Sequence, residues 1–318
     1  MKVKIPVISI GNLTLGGTGK TPVTHLVLQY LVKNNKKVAL ISRAYKAKAI
    51  DPVEVEASKP YAAQIYGDEA VMLAKQNPKV RVFVGQNKRK IAEFICSTFD
   101  TFDVLVIDDG FQHRALHRNL DLVLLDATEP LENYNFFPKG RAREGLNYLA
   151  RADLVIFTKT NLVYSEHLRE LHQVLPNNKA NCSLTFDIGD IKSPVITRQN
   201  SEEGPLATHL FLPPTGEPIY LVAGVAKPSL FIQMFRKKYP LSEFHLIAFN
   251  DHHDYNTKDV QLITHRTHLS PWIVTTQKDW VKLKAFWPTE QKIWVADLEV
   301  RFESGKEIFF EKLDQCLR

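Results

Sequence analysis

The chain has 318 residues, 44% apolar and 24% charged, a mixture that supports two ordinary cores and excludes a disordered or collagen-like polymer. Forty-one Lys and Arg against thirty-five Asp and Glu leave a formal charge of +6, which suits an anionic ligand, a nucleic acid or an acidic membrane surface without choosing among them. Cys96, Cys182 and Cys316 are widely spaced with no CxxC pair, so neither a disulfide framework nor a thiolate zinc site is expected, and a reducing compartment, the cytoplasm, is.

In chain order, a strand-like stretch over 5–10 comes so early that a signal peptide is not expected. No run of about 18 apolar residues follows it, so no spanning helix is expected either. Further strands are predicted over 37–41, 81–84, 104–107, 122–125 and 154–157, several of them apolar at every position, as strands buried on both faces must be. Helices are predicted over 22–32, 68–75 and 87–99. This alternation predicts a doubly wound, mainly parallel α/β sheet over 1–182. Turn formers then crowd 183–217, from Asp187, Gly189 and Asp190 to Pro213, Pro214 and Gly216. They predict an inter-domain linker with short extended pieces over 194–197 and 209–212. A second alternation, with strands over 219–223, 244–249, 272–275 and 293–295, predicts a smaller α/β domain over 218–318 whose last strand returns to the linker.

The strongest chemical signal is Gly16-Gly17-Thr18-Gly19-Lys20-Thr21-Pro22, placed after a strand and opening a helix. Glycines let backbone N–H groups wrap phosphate oxygens, the helix N-terminus adds its positive end, Lys20 reaches the terminal phosphates, and the Thr21 hydroxyl suits Mg²⁺. Thr14 stands where the first glycine of GxxxxGK[ST] is expected, and the competing reading is a glycine-rich helix cap. Asp108-Asp109-Gly110-Phe111-Gln112-His113 ends the 104–107 strand, where a P-loop protein places the carboxylate that stands beside Mg²⁺. The competing reading there is a pair of solvated turn acids.

Gly67-Asp68-Glu69 opens a helix, either as ordinary caps or with one carboxylate deprotonating an attacking hydroxyl while the other assists the metal. Asp251-His252-His253-Asp254-Tyr255 follows a strand of the second domain and reads better as an imidazole paired with an acid than as a zinc site. Basic residues gather at Lys88-Arg89-Lys90, at Lys139-Gly140-Arg141-Ala142-Arg143 and at Lys278. Most are expected on solvated faces, and Arg143 stands out as a phosphate-recognising guanidinium. Phe136, Phe137 and Trp287 either meet lipid or pack in a core. Interleaved aromatic and basic nucleic-acid motifs are absent. Thr158-Lys159 after a strand suggests a base-reading element, and with it a second reading as a nucleotide-hydrolysing switch acting on a protein partner.

The runs 11–22, Ser42-Arg43, 67–69, 108–113, Arg143-Glu144, 224–228, Asp251-His252 and 277–279 occur in an order that resembles the tetraacyldisaccharide 4'-kinase family across nearly the whole chain. The resemblance implies a P-loop kinase that transfers the γ-phosphoryl group of ATP, with Mg²⁺, to the 4'-hydroxyl of a tetraacylated glucosamine disaccharide 1-phosphate in lipid A biosynthesis. It places the chain at the cytoplasmic face of the inner membrane. It implies that Thr14, Gly16, Gly17, Thr18, Gly19, Lys20 and Thr21 hold the nucleotide, with Thr21, Glu69, Asp108 and Asp109 about the metal. Asp68 with His252 would form the base, and His113, Arg89 and Arg143 would face the substrate. Two departures stand out. The sequence reads Ser42-Arg43-Ala44-Tyr45-Lys46 where the family tends to S-R-G-Y-G, and it shows no counterpart of the family's apolar N-terminal helix. Membrane attachment is therefore expected to depend on a basic and aromatic patch elsewhere.

Overall fold

A computed structural model describes residues 1–42, 50–194, 211 and 216–318. The Arg43–Lys46 departure and nearly all of the extended pieces expected over 194–197 and 209–212 lie outside the described residues. The strands are β1 (Val7–Asn12), β2 (Val38–Ile41), β3 (Val53–Glu54), β4 (Arg81–Val84), β5 (Val104–Asp108), β6 (Leu120–Asp126), β7 (Leu154–Thr158), β8 (Asn181–Lys192), β9 (Ile219–Ala223), β10 (Phe244–Ala248), β11 (Ile273–Thr276) and β12 (Trp294–Ser304). The helices are α1 (Lys20–Lys33), α2 (Ala62–Tyr66), α3 (Asp68–Gln76), α4 (Lys88–Thr98), α5 (Ser165–Gln173), α6 (Pro228–Lys238), α7 (Thr257–Arg266), α8 (Gln277–Leu283) and α9 (Lys306–Cys316).

The chain divides into two compact units: Met1–Ala57, Gln64–Phe186 and Val300–Arg318 form the first, Ser58–Ala63 and Asp187–Glu299 the second. In the first unit the strand order is β3-β4-β2-β5-β1-β6-β7-β8. The pairs from β2–β4 through β7–β8 are parallel, and the short β3 is antiparallel to β4. Every residue of β1, β2, β5, β6 and β7 is buried, which explains why these strands are mostly apolar rather than alternating. Residues two apart share a face. Leu105 and Ile107 therefore pack with Phe83, Ile91 and Ile95, while Val123 and Leu125 pack with Phe111, Phe157 and Leu171. Parallel pairing sends the carboxyl ends of β1, β5, β6 and β7 to one edge, and the loops that leave that edge carry the candidate residues.

The second unit pairs β10-β9-β11-β12, all parallel, around Val222, Ile263, Trp280, Leu283 and Ile293. Trp287 belongs to this core, and its ring N–H donates to the Gln291 carbonyl at 2.8 Å; of its two readings, packing holds.

The stretch from 183 onward is one strand to Lys192, where turn formers predicted a broken connector. Buried Phe186, Ile188 and Ile191 share β8 with Asp187, Gly189 and Asp190, which are not buried, and a half-covered strand tolerates polar residues on its open face. Asp187 there pairs with Lys237 at 3.4 Å. β12 likewise runs eleven residues, beyond the three expected. Residues Val300–Arg318, expected with the smaller domain, fall in the first unit. There α9 buries Phe309 and Leu313, and Tyr30 of α1 donates to Asp314 at 2.7 Å.

Gly305 turns β12 into α9 with φ 70°, and a Cβ at that position would stand 2.7 Å from the Asn181 carbonyl oxygen. Only glycine meets both demands. Gly305→Ala is expected to lower stability by about 1–3 kcal/mol, read as a lower urea midpoint with an unchanged m-value.

Candidate active site

β1 ends on Asn12, and the chain loops through Leu13–Gly19 before α1 begins at Lys20. Gly19 takes φ 86°, and a Cβ there would strike the Phe186 ring at 2.7 Å, so the turn into the helix requires glycine. No side chain caps the N-terminus of α1, which leaves its dipole end open to an anion.

Groups behind the loop take its carbonyls. The Leu13 carbonyl accepts from the Arg143 N–H at 2.7 Å, while one loop N–H, that of Leu15, is spent on the Arg141 carbonyl at 2.9 Å. The Thr18 carbonyl accepts from the Thr158 hydroxyl at 2.8 Å. Lys159 donates to the Gly17 carbonyl at 2.6 Å and to Asp126 Oδ2 at 2.6 Å. With the carbonyl dipoles engaged on that side, the loop has the polarity of a phosphate cradle. Thr158 and Lys159, which the sequence suggested as base readers, here anchor the loop.

Opposite Lys20 lies a dense charge cluster. Lys20 Nζ donates to Asn12 Oδ1 at 3.1 Å and stands 3.5 Å from Asp109 Oδ1. Arg143 clamps Asp109 through both terminal nitrogens, at 2.8 and 3.1 Å, and also donates to Asn12 Oδ1. Burial works to raise the Asp109 carboxyl, but the Arg143 hydrogen bonds and the charges of Lys20, Arg143 and Lys88 outweigh it and hold that group well below the usual carboxylate range. Lys88 donates to the backbone carbonyls of Asp108, at 2.7 Å, and of Asp109, fixing a turn in which Asp109 adopts φ 52°.

Asp108 behaves oppositely. It is fully buried at the end of β5, and burial first, then the negative charge of Glu69, pushes it up to about 6 against the pull of Lys20. Its Oδ1 accepts from the Thr24 hydroxyl at 3.5 Å. Glu69 reaches this field from the first turn of α3, where the Glu69 N–H donates to Asp68 Oδ1 at 2.9 Å and Asp68 is buried. Gly67 is the N-cap of α3 and offers no side-chain cap, so these acids act as first-turn charges, and Glu69 stands close enough to the cluster to raise Asp108.

Among the described residues no three His, Cys, Asp or Glu groups could hold a metal ion by themselves. Mg²⁺ is commonly held by one or two carboxylates together with substrate phosphates. A buried carboxylate short of positive charge, on a strand end beside a phosphate loop, fits that requirement, and Asp108 fits it better than Asp109, whose oxygens face two cations.

The turn after Asp109 is held by groups that local spacing does not reveal. Arg118 donates to the carbonyl of His113 at 3.0 Å and to those of Gly110 and Phe111 at 3.5 Å, and pairs with Asp121 at 2.9 Å. Gln112 donates to the Asn12 carbonyl at 2.8 Å, and Glu144 pairs with Arg114 and Arg151, each at 2.8 Å. Burial, followed by the charges of Lys88 and Arg118, lowers the His113 imidazole. Arg89 stands outside this network, paired with Glu93 at 2.9 Å on an exposed face of α4.

In the second unit His252 has φ 56°, and its Nε2 lies 3.1 Å from Lys278 Nζ. His253 pairs instead with Asp259 at 3.0 Å and packs against Phe249.

The sequence profile of the tetraacyldisaccharide-1-P 4'-kinase family, LpxK, matches residues 1–318. The chain belongs to this family. It is 41% identical to the tetraacyldisaccharide 4'-kinase of Bdellovibrio bacteriovorus over 319 residues, spanning 100% of this chain and 91% of that protein. It is 33% identical to that of Chlorobium phaeovibrioides over 283 residues, 87% and 77% of the two chains. The crystal structure of LpxK from Aquifex aeolicus in complex with ATP superposes with a TM-score of 0.73 at 24% identity, covering 100% of this chain and 90% of that one, which shows the LpxK fold is shared.

For this LpxK-family chain the Asp108 shift has a testable sign. A carboxyl raised to about 6 when folded, against about 3.9 when unfolded, contributes stability that is present below about pH 4 and lost as pH rises through about 6. Asp108→Asn, which keeps the neutral form at all pH, is expected to stabilise the ligand-free protein at pH 8 by on the order of 1–3 kcal/mol. Calorimetric melting should show that gain shrinking toward zero by pH 4.

Proposed function

We propose that the chain is an ATP-dependent kinase that phosphorylates the 4'-hydroxyl of a tetraacylated glucosamine disaccharide 1-phosphate, a step of lipid A biosynthesis. The observation that carries this reading is the carbonyl-anchored loop ending on Lys20, with Asp109 locked by Arg143 beside it, in a chain matched from end to end by the kinase family.

In this reading the first unit is the kinase domain and the second a smaller substrate-assisting domain. The loop from Thr14 to Thr21 wraps the triphosphate, and Lys20 draws charge from the oxygens that become more negative as the γ-phosphoryl group leaves ADP. Mg²⁺ supplies charge neutralisation when bound, with Thr21, Asp108 and Glu69 as the groups that would hold it. Asp109 orients Lys20 and Arg143 rather than facing the cation alone. Asp68 takes the proton of the attacking sugar hydroxyl, and His252 is assigned to the same proton transfer. His113, Arg89 and Arg143 are assigned to the substrate's phosphate or sugar. Phosphoryl transfer needs positioning and charge neutralisation more than covalent help, which is what this set of side chains offers.

Lys20→Ala and Asp68→Ala are each expected to stay folded while ATP-dependent lipid phosphorylation falls by two or more orders of magnitude, roughly the scale of a lost electrostatic or acid–base contribution. Labelled ATP incubated with the lipid acceptor reads this directly. Label on the lipid supports the kinase, whereas free phosphate alone points to a nucleotide switch.

A membrane-surface role for the loop 135–142 belongs to the same reading. Phe137 is 86% exposed, and Phe136 and Leu15 are each 57% exposed. Hydrogen bonds from Gly140 to Phe136, from Ala142 to Asn135 and from Leu15 to Arg141 tie these segments together beside the phosphate loop. Bare aromatic rings flanked by Lys139 and Arg141 match the headgroup boundary of an anionic bilayer. Phe136→Ser/Phe137→Ser is expected to cut sedimentation with anionic phospholipid vesicles at least threefold while leaving ATP binding intact. Unchanged sedimentation would remove this surface from the proposal.

A further inference from the structure

The His252 turn is tied down by a residue to which none of the chemistry above has been assigned. His252 lies between β10 and α7, and its backbone N–H donates to the Gly224 carbonyl at 3.3 Å, just past the end of β9. The N–H of that same Gly224 donates to Asp279 Oδ2 at 3.1 Å. Asp279 sits buried in the first turn of α8, and its Oδ1 accepts from the Tyr255 hydroxyl at 3.1 Å. Tyr255 is three residues beyond His252. One carboxylate therefore grips the turn on both sides of the imidazole.

The neighbouring residue holds the ring itself. Lys278 Nζ lies 3.1 Å from His252 Nε2 and 3.4 Å from Asp251 Oδ1. An ammonium only donates, so at this nitrogen the imidazole presents its lone pair and carries its ring proton on Nδ1.

Helix capping explains only part of this arrangement. The Thr276 side chain accepts from the Asp279 N–H at 3.1 Å and donates to Asp279 Oδ2 at 2.7 Å, which satisfies the start of α8. The bonds to Gly224 and Tyr255 reach outside the helix and add nothing to the cap. A buried carboxylate is costly unless its lone pairs are filled, and the groups that fill them here are those that shape the His252 turn.

We propose that Asp279 and Lys278 are positioning residues for His252: Asp279 sets the backbone of its turn through Gly224 and Tyr255, and Lys278 sets its ring orientation and tautomer. This rests on the role given to His252 in proton transfer, and the experiment separates the two.

Steady-state kinetics with Mg-ATP and the tetraacylated disaccharide 1-phosphate would compare wild type with Asp279→Asn, Tyr255→Phe, His252→Ala and the double variant Asp279→Asn/His252→Ala. Asp279→Asn is expected to lower kcat about tenfold or more with KM for ATP within about twofold, and Tyr255→Phe to lower kcat a few-fold. The double variant should be no slower than His252→Ala alone, because Asp279 acts only through the imidazole. Losses that multiply in the double variant, or a wild-type kcat for Asp279→Asn, would overturn the proposal. A wild-type kcat for His252→Ala would instead overturn the reading beneath it. Should Asp279→Asn fail to fold, Lys278→Met carries the test: the ¹⁵N signals of His252 are expected to lose their Nδ1–H preference and kcat to fall, and unchanged signals with an unchanged kcat count against the proposal.

Discussion

Everything in the candidate site depends on which way a short glycine loop turns its peptide dipoles. A loop with its carbonyls facing the ligand would repel a triphosphate, and nothing in the glycines themselves prevents that. The preference comes from behind: Lys159 on Gly17, Thr158 on Thr18 and the Arg143 backbone on Leu13 take the carbonyls. Lys159 is itself held by a fully buried carboxylate, Asp126, at the end of the adjoining strand. Strand ends of the parallel sheet thus set the polarity of a loop they do not contain.

The two adjacent aspartates show how one element assigns different electrostatic states to neighbouring residues. Asp108, buried at the end of β5 beside Thr24 of α1, meets burial and Glu69, so its charged form is penalised. Asp109, one residue on and past a left-handed turn, meets Arg143 and Lys20 and is kept charged. Side-chain alternation along the strand and the backbone turn after it account for the difference, with no special residue type involved.

Much of this was legible in the sequence because it is local. Strands buried on both faces declare themselves by apolar runs, and the tight turn into α1 by glycines at close spacing. What was illegible is long-range or half-covered. β8 reads as a connector because Asp187, Gly189 and Asp190 mimic turn chemistry, although they share a strand with buried Phe186, Ile188 and Ile191. The return of α9 to the first unit rests on Phe309 and Leu313, whose spacing says helix without saying which core. Arg118 has no motif that announces it, and the contacts of Asn12, Lys88 and Lys159 are not readable from the runs they stand in, because their partners lie on other elements. Arg89, whose basic run reads as a solvated face, pairs along its own exposed helix with Glu93, as that reading expects.

The loop that bares Phe136 and Phe137 bears on how the protein behaves at the bench. Two aromatic rings left in water beside one another, on a frame too well hydrogen-bonded to fold them inward, favour any apolar company on offer. In dilute buffer, that company is another copy, a column resin or a detergent monomer. A mild detergent in purification buffers would then cover the two rings, and elution volume would depend on protein concentration when it is omitted.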